Sequence, residues 1–175
     1  MANSKEQSST VEGKTFVYTR VVNAPRELVF QCTSERKHLE HWWGPKGFDL
    51  TIKEFDFKVG GTFLYRMAAP NGFEMWGKWV IREISPPDRI VIVSSFSDPE
   101  GGAGKHPMAP DWPQDTLCTY TFEAQGDKTK LTLEAVPINA SDLERKTFED
   151  GFESMNGGYA ATLDKLDEYL LSLKK

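Results

Sequence analysis

Apolar residues in the last fifth of the chain recur at Phe148, Phe152, Met155, Tyr159, Leu163, Leu166, Leu170 and Leu173, always three or four positions apart. That is the repeat of one helix face. Ser141 and Glu144 stand in capping-box spacing and mark the start. Lys174 and Lys175 suit the negative end of the helix dipole. Glu144, Arg145, Lys146, Glu149, Asp150, Asp164, Lys165, Asp167 and Glu168 fall on the other faces, which read as solvated. Three glycines, Gly151, Gly157 and Gly158, interrupt the stripe. Each costs about 1 kcal/mol relative to Ala in a helix interior. They read either as a bend or break near Asn156 or as small residues that admit backbone or ligand closely. A straight helix here would be about 50 Å long, against a radius of gyration of about 16 Å for a domain of this size. Bending or an overhanging end is expected.

Before this helix the dominant period is two. Residues 15–22 alternate and are rich in β-formers, which predicts a first strand. Pro25 suits a first helical turn, so residues 26–33 are expected to be helical, followed by a second short helix capped by Ser34. Trp42-Trp43-Gly44-Pro45 closes that pair. Six further strands follow at residues 49–57, 62–68, 73–84, 89–96, 115–124 and 129–136. Gly60-Gly61, Asn71-Gly72, Pro86-Pro87-Asp88 and Gly126-Asp127 mark turns between them. Residues 97–114 hold three Gly and four Pro without periodicity and read as a long loop. The order β-α-α-β-β-β-β-β-β-α implies an α+β protein, with a curved six- to seven-stranded antiparallel sheet packed on a long C-terminal helix. Residues 1–13 read as a disordered lead, and residues 14–175 as a single domain.

Composition narrows the function classes. Net charge is −5, with a pI near 5.3, which argues against a nucleic-acid binder. No run approaches the ~18 apolar residues of a membrane span, and the N-terminus lacks the apolar region of a signal peptide. Cys32 and Cys118 are expected as small, reduced core residues, which together with the missing signal points to the cytoplasm. Five Trp and eleven Phe suit either a large solid core or an aromatic-lined cavity.

Several motifs combine in order along the chain: Ala24-Pro25 with Val29-Phe30, Leu39 with Trp42-Trp43-Gly44-Pro45, and Val59-Gly60-Gly61. Asn71-Gly72 with Trp76-Gly77, Glu83-Ile84 with Pro86-Pro87-Asp88-Arg89-Ile90, and Gly158 with Leu163 and Leu166 complete the set. In this arrangement the chain resembles the activator of heat-shock protein 90 ATPase homologue-like family of the START-like (SRPBCC, Bet v-like) superfamily. The resemblance implies a helix-grip fold, with a cavity between sheet and helix that holds small apolar molecules in many relatives. It also brings in the alternative of a stress-response interaction protein with a chaperone as partner. The chain is read as lacking the additional client-contacting domain of the namesake co-chaperone.

Alternation places Phe63, Tyr65 and Met67 on one face of a strand, with Leu64 and Arg66 on the other, and aligns Trp79 with Ile81. Phe152, Met155 and Tyr159 share the helix face near the glycines. With Trp43 they are the candidate ligand-binding residues, around a mouth near Trp42-Trp43 and the loop at 97–114. The pocket reading requires a cavity of at least ~300 Å³; otherwise these side chains fill the core solidly. Arg66 and Glu83 read as a solvent-facing cross-strand pair or as an inward clamp. His38 and His41 have H-x-x-H spacing but no further ligand motif, so no metal site is expected. Gly101-Gly102-Ala103-Gly104-Lys105 lacks the spacing and the following helix of a phosphate loop, and no cofactor is expected. No nucleophile motif is present, so no catalytic residue is assigned. Glu83 and His106 are the candidates if the cavity is an enzyme's. The first reading is a binder of a small apolar molecule; the co-chaperone-like protein and the cavity enzyme are the alternatives. A homodimer is compatible with the exposed sheet edges.

Overall fold

The structure is a computed structural model and describes residues 14–107 and 109–174. The expected lead at 1–13 lies outside the described residues, as does Lys175. Seven strands form one antiparallel sheet: β1 (Phe16–Val22), β2 (Asp49–Phe55), β3 (Thr62–Ala68), β4 (Glu74–Ser85), β5 (Arg89–Ser97), β6 (Asp115–Gln125) and β7 (Lys128–Ile138). Helices α1 (Arg26–Ser34) and α2 (Arg36–Trp42) separate β1 from β2. Helices α3 (Asp142–Asp150) and α4 (Phe152–Leu173) end the chain. The sheet order is β1-β7-β6-β5-β4-β3-β2. Strands β2 to β7 are therefore a meander, and β1 joins its far end by pairing with β7. This is the helix-grip arrangement, a curved sheet wrapped on the C-terminal helix.

Alternation sets the inner face. Thr116, Cys118, Tyr120 and Phe122 of β6 are buried, and Cys118, Tyr120 and Phe122 oppose Ala135, Leu133 and Leu131 of β7 in register. Phe63, Tyr65 and Met67 of β3 are buried in the same core as Trp79 and Ile81 of β4. Leu64 points the other way yet is only 4% exposed. The cause is the long loop, whose first half folds over the outer face. Gly101 lies against Leu64, Lys78 Nζ donates to the Gly101 carbonyl at 2.7 Å, and Lys53 Nζ donates to that of Pro99.

Two local expectations change. Ser34 does not cap α2; its hydroxyl donates back to the Phe30 carbonyl at 2.8 Å and closes α1, leaving Glu35 at the N-cap without a side-chain bond. The C-terminal helix breaks at Gly151 rather than near Asn156. The Trp112 indole rests there, so closely that a Cβ on Gly151 would lie 2.7 Å from Cζ3. The capping box forms as expected, with Glu144 N donating to Ser141 Oγ at 3.1 Å and Ser141 N donating to Glu144 Oε1 at 2.8 Å. Leu163, Leu166 and Leu170 are buried along the stripe, whereas Leu173 runs past the sheet and is 42% exposed.

Helix α4 is tied to β1 and α2 by polar contacts at the core's rim. Arg20 donates to Asp164 at 2.5 Å, to Asp167 at 2.7 Å and to the Ala160 carbonyl at 3.2 Å. The two H-x-x-H histidines serve the same docking: His38 Nδ1 bonds the Tyr169 hydroxyl at 2.7 Å, and His41 stacks on that ring at 5.0 Å. Arg66 and Glu83 face outward but do not pair with each other. Arg66 reaches Glu74 at 3.4 Å, and Glu83 reaches Arg89 at 3.5 Å and accepts from Ser85.

Candidate functional site

A cavity of about 270 Å³ lies between the sheet, the two C-terminal helices and the long loop. That falls about a tenth short of the ~300 Å³ set for the pocket reading, so the side chains neither fill the core solidly nor leave the space a drug-sized ligand needs. A cavity of ~150 Å³ holds benzene, so this one accommodates roughly eleven non-hydrogen atoms.

Each wall follows from local sequence. On β3, alternation aims Tyr65 and Met67 inward, and both line the space. Tyr65 lies across Gly77, its register partner on β4. A Cβ at Gly77 would stand 2.5 Å from the Tyr65 hydroxyl, so only glycine leaves the ring flat on the neighbouring strand. Beyond α2, Gly44 takes φ +93°, a conformation that side chains disfavour, and turns the chain beside Met67. Trp43, just before this turn, is 7% exposed and packs edge-on against Trp79 at 4.9 Å. From α4 come Met155, Tyr159 and Gly158. A Cβ at Gly158 would meet nothing within 4 Å, so the helix leaves room at this point. The second half of the loop forms the mouth, where His106 packs between Phe96 at 4.8 Å and Trp112 at 5.5 Å.

Of the nine candidate binding residues, Trp43, Tyr65, Met67, Met155 and Tyr159 come together on the cavity wall. Phe63, Trp79 and Ile81 lie behind it in the solid core, and Phe152 packs on Phe16 at 5.5 Å. Sequence reasoning missed Gly77, Trp112 and Cys118. Cys118 was recoverable from its alternation with Tyr120 and Phe122, whereas Gly77 becomes meaningful only through its register with Tyr65.

No Asp, Glu, Lys or Arg is among the described residues of the wall. Its ionisable groups are held neutral. Burial pushes the Tyr65 phenol and the Cys118 thiol each up to about 12. Burial also raises the Tyr159 phenol, and that of Tyr120 outside the wall, well above the usual range. Burial lowers His106, favouring its uncharged imidazole. Trp43 Nε1 is buried and makes no hydrogen bond.

The sequence profile of the family described as "Activator of Hsp90 ATPase homolog 1-like protein" matches residues 23–171. The chain belongs to this family. Among curated proteins none matches. Solved structures share the fold of this Hsp90-activator-homologue-like chain. A Mycobacterium smegmatis protein, 23% identical, superimposes with a TM-score of 0.74 over 93% of this chain and 91% of that one. An Arthrobacter aurescens protein, 25% identical, gives 0.74 over 93% and 88%. The AHSA1 protein of Silicibacter pomeroyi, 18% identical, gives 0.66 over 93% and 100%. Among the described residues of this family member, no helix is long and apolar enough to cross a membrane.

Proposed function

We propose that this chain binds a small, largely apolar molecule of roughly eleven non-hydrogen atoms. The observation that carries the reading is the cavity of about 270 Å³, whose described wall has no formally charged side chain. Trp43, Tyr65, Met67, Met155 and Tyr159 are the proposed contacts, while Phe63, Trp79, Ile81 and Phe152 hold that wall from behind. Burial of such a ligand is driven by its apolar surface, at about 25 cal/mol per Å² removed from water. Native mass spectrometry of protein from its own host, set against denaturing conditions, tests the reading. The expected result is an adduct that is lost on denaturation. A bare protein that also fails to take up millimolar bicyclic hydrocarbons or ketones would overturn it.

One observation favours a second reading, a cavity enzyme acting on an apolar substrate. His106 stands at the mouth with its neutral form favoured, the form that accepts a proton. Glu83, the other acid–base candidate, is on the outer surface with Arg89. Covalent change in a bound adduct, lost in His106→Gln, would favour the enzyme over the binder. The chaperone-partner reading draws on the family description alone.

A further inference from the structure

The inward face of β5 changes character where it reaches the cavity. Ile90 and Ile92 belong to the core, yet the next inward position is Ser94, which lines the space. Directly opposite in register on β6 stands Thr116, a second inward hydroxyl on the same wall. Thr116 is 8% exposed, and neither hydroxyl makes a hydrogen bond to a described residue. Both oxygens keep accessible surface, unlike the enclosed Trp43 Nε1, and the space on their side of the sheet is the cavity. Two other hydroxyls of the wall are already answered: Ser95 donates to Asp115 at 2.6 Å, and Thr162 to the Gly158 carbonyl at 2.9 Å. Residues directly opposite on an antiparallel pair have Cβ atoms about 4.5–5.5 Å apart. At that separation two hydroxyls can both reach one oxygen placed between them, at about 2.7–2.8 Å from each. The wall offers no described cation to an anionic ligand and no described carboxylate to a cationic one.

We infer that the ligand is a neutral carbonyl compound, a ketone or ester, whose oxygen sits between Ser94 and Thr116 and accepts from both hydroxyls. This rests on the binding reading above and specifies its chemistry. A carbonyl oxygen has two lone pairs and so matches two donors. A hydrocarbon filling the cavity would take water from both hydroxyls and leave them unpaired, whereas a carbonyl compound of the same shape satisfies them. Such a site discriminates against isosteres that lack the oxygen. The apolar body of the ligand meets Met67, Met75 and Met155, flexible side chains that adapt to varied shapes. The hydroxyl pair therefore fixes orientation, and the methionines leave the outline of the body open.

The test compares 1-indanone with indane, a ketone and a hydrocarbon of nearly equal size, by calorimetry. The ketone is expected to bind the wild-type protein roughly tenfold tighter. Thr116→Val keeps the shape of the side chain and removes its hydroxyl; Ser94→Ala removes the other. Each should cut the preference roughly threefold, and the double variant should bring the two compounds level. Equal affinities in the wild-type protein would overturn the inference while leaving the binding reading intact. So would a ketone preference that survives in the double variant, which would assign it to another wall group such as Tyr65 or Tyr159. Failure of both compounds to bind at millimolar concentration would overturn the binding reading and the inference with it. The infrared carbonyl stretch of 1-indanone on the wild-type protein decides the matter even where the variants fail to fold. It should lie at lower frequency than in a hydrocarbon solvent, and an unshifted stretch overturns the inference.

Discussion

Filling the cavity from the helix side should stabilise the protein and abolish binding together. Gly158 is the position to use, because it lines the cavity and an added Cβ meets nothing within 4 Å. Gly158→Ala removes the helix penalty of glycine, about 1 kcal/mol. For a chain of this length that raises Tm by roughly 2–4 °C. Gly158→Leu keeps most of that gain and buries four carbons in space that already exists, for a total of about 2 kcal/mol and a rise of roughly 4–8 °C. Four of roughly eleven available atom positions are then occupied, too few remaining for the ten non-hydrogen atoms of 1-indanone (C₉H₈O). Gly157→Ala is the control: the neighbouring glycine is exposed and outside the wall, so the helix gain should appear with binding unchanged. Thermal denaturation and 1-indanone calorimetry on the three variants read both effects. A Gly158→Leu protein that melts lower than wild type, or binds the ketone with wild-type affinity, would show the reasoning about this space to be wrong.

Other outcomes follow from single contacts. Gly77→Ala sets a Cβ 2.5 Å from the Tyr65 hydroxyl; overpacking of about 1–3 kcal/mol and weaker 1-indanone binding are expected, measured by urea denaturation and calorimetry. Asp164 is held below the usual carboxylate range by its hydrogen bond to Arg20. Its folded value lies below its unfolded one, so its contribution is present above the unfolded value and lost as pH falls through the folded one. The stability gap between wild type and Arg20→Ala should therefore be full at pH 7 and shrink below about pH 4, followed by denaturation at stepped pH. Burial pushes the Cys32 and Cys118 thiols up to about 12, so a disulfide reagent at pH 8 should label neither in the folded protein and both in guanidinium. Rapid native labelling of Cys118 would contradict the burial assigned to the cavity wall.

The meander from β2 to β7 and the capping box were legible because they depend on neighbours in sequence, whereas the pairing of β1 with β7 joins segments more than a hundred residues apart and was not. Alternation at Phe63-Tyr65-Met67 and the Ser141–Glu144 spacing need no tertiary knowledge. The break at Gly151 was not legible, since what distinguishes it from Gly157 and Gly158 is Trp112, a residue of a distant loop. For the same reason four of the nine candidate residues lie outside the cavity wall. Period-two alternation says that Trp79 and Ile81 face inward, but not whether that face meets space or the indole of Trp43. Leu64 shows the converse: its outward direction was read correctly, yet the loop buries it.

The closure of the sheet by its first strand has a consequence for how the protein is made. Phe16 pairs with Ala135, 119 positions later in the chain. At about 5–20 residues per second, the ribosome delivers that partner roughly 6–24 s after Phe16 itself. Through that interval β1, with Val17 and Val21, is a strand without a template, while the meander from β2 onward can already assemble hairpin by hairpin. The helix that roofs the cavity emerges later still, so the binding space is the last part of the molecule to exist during synthesis. A nascent chain of this design therefore carries an unpaired, β-prone segment for most of its translation, and ribosome-arrested chains ending before and after residue 135 should differ sharply in protease resistance of residues 16–22.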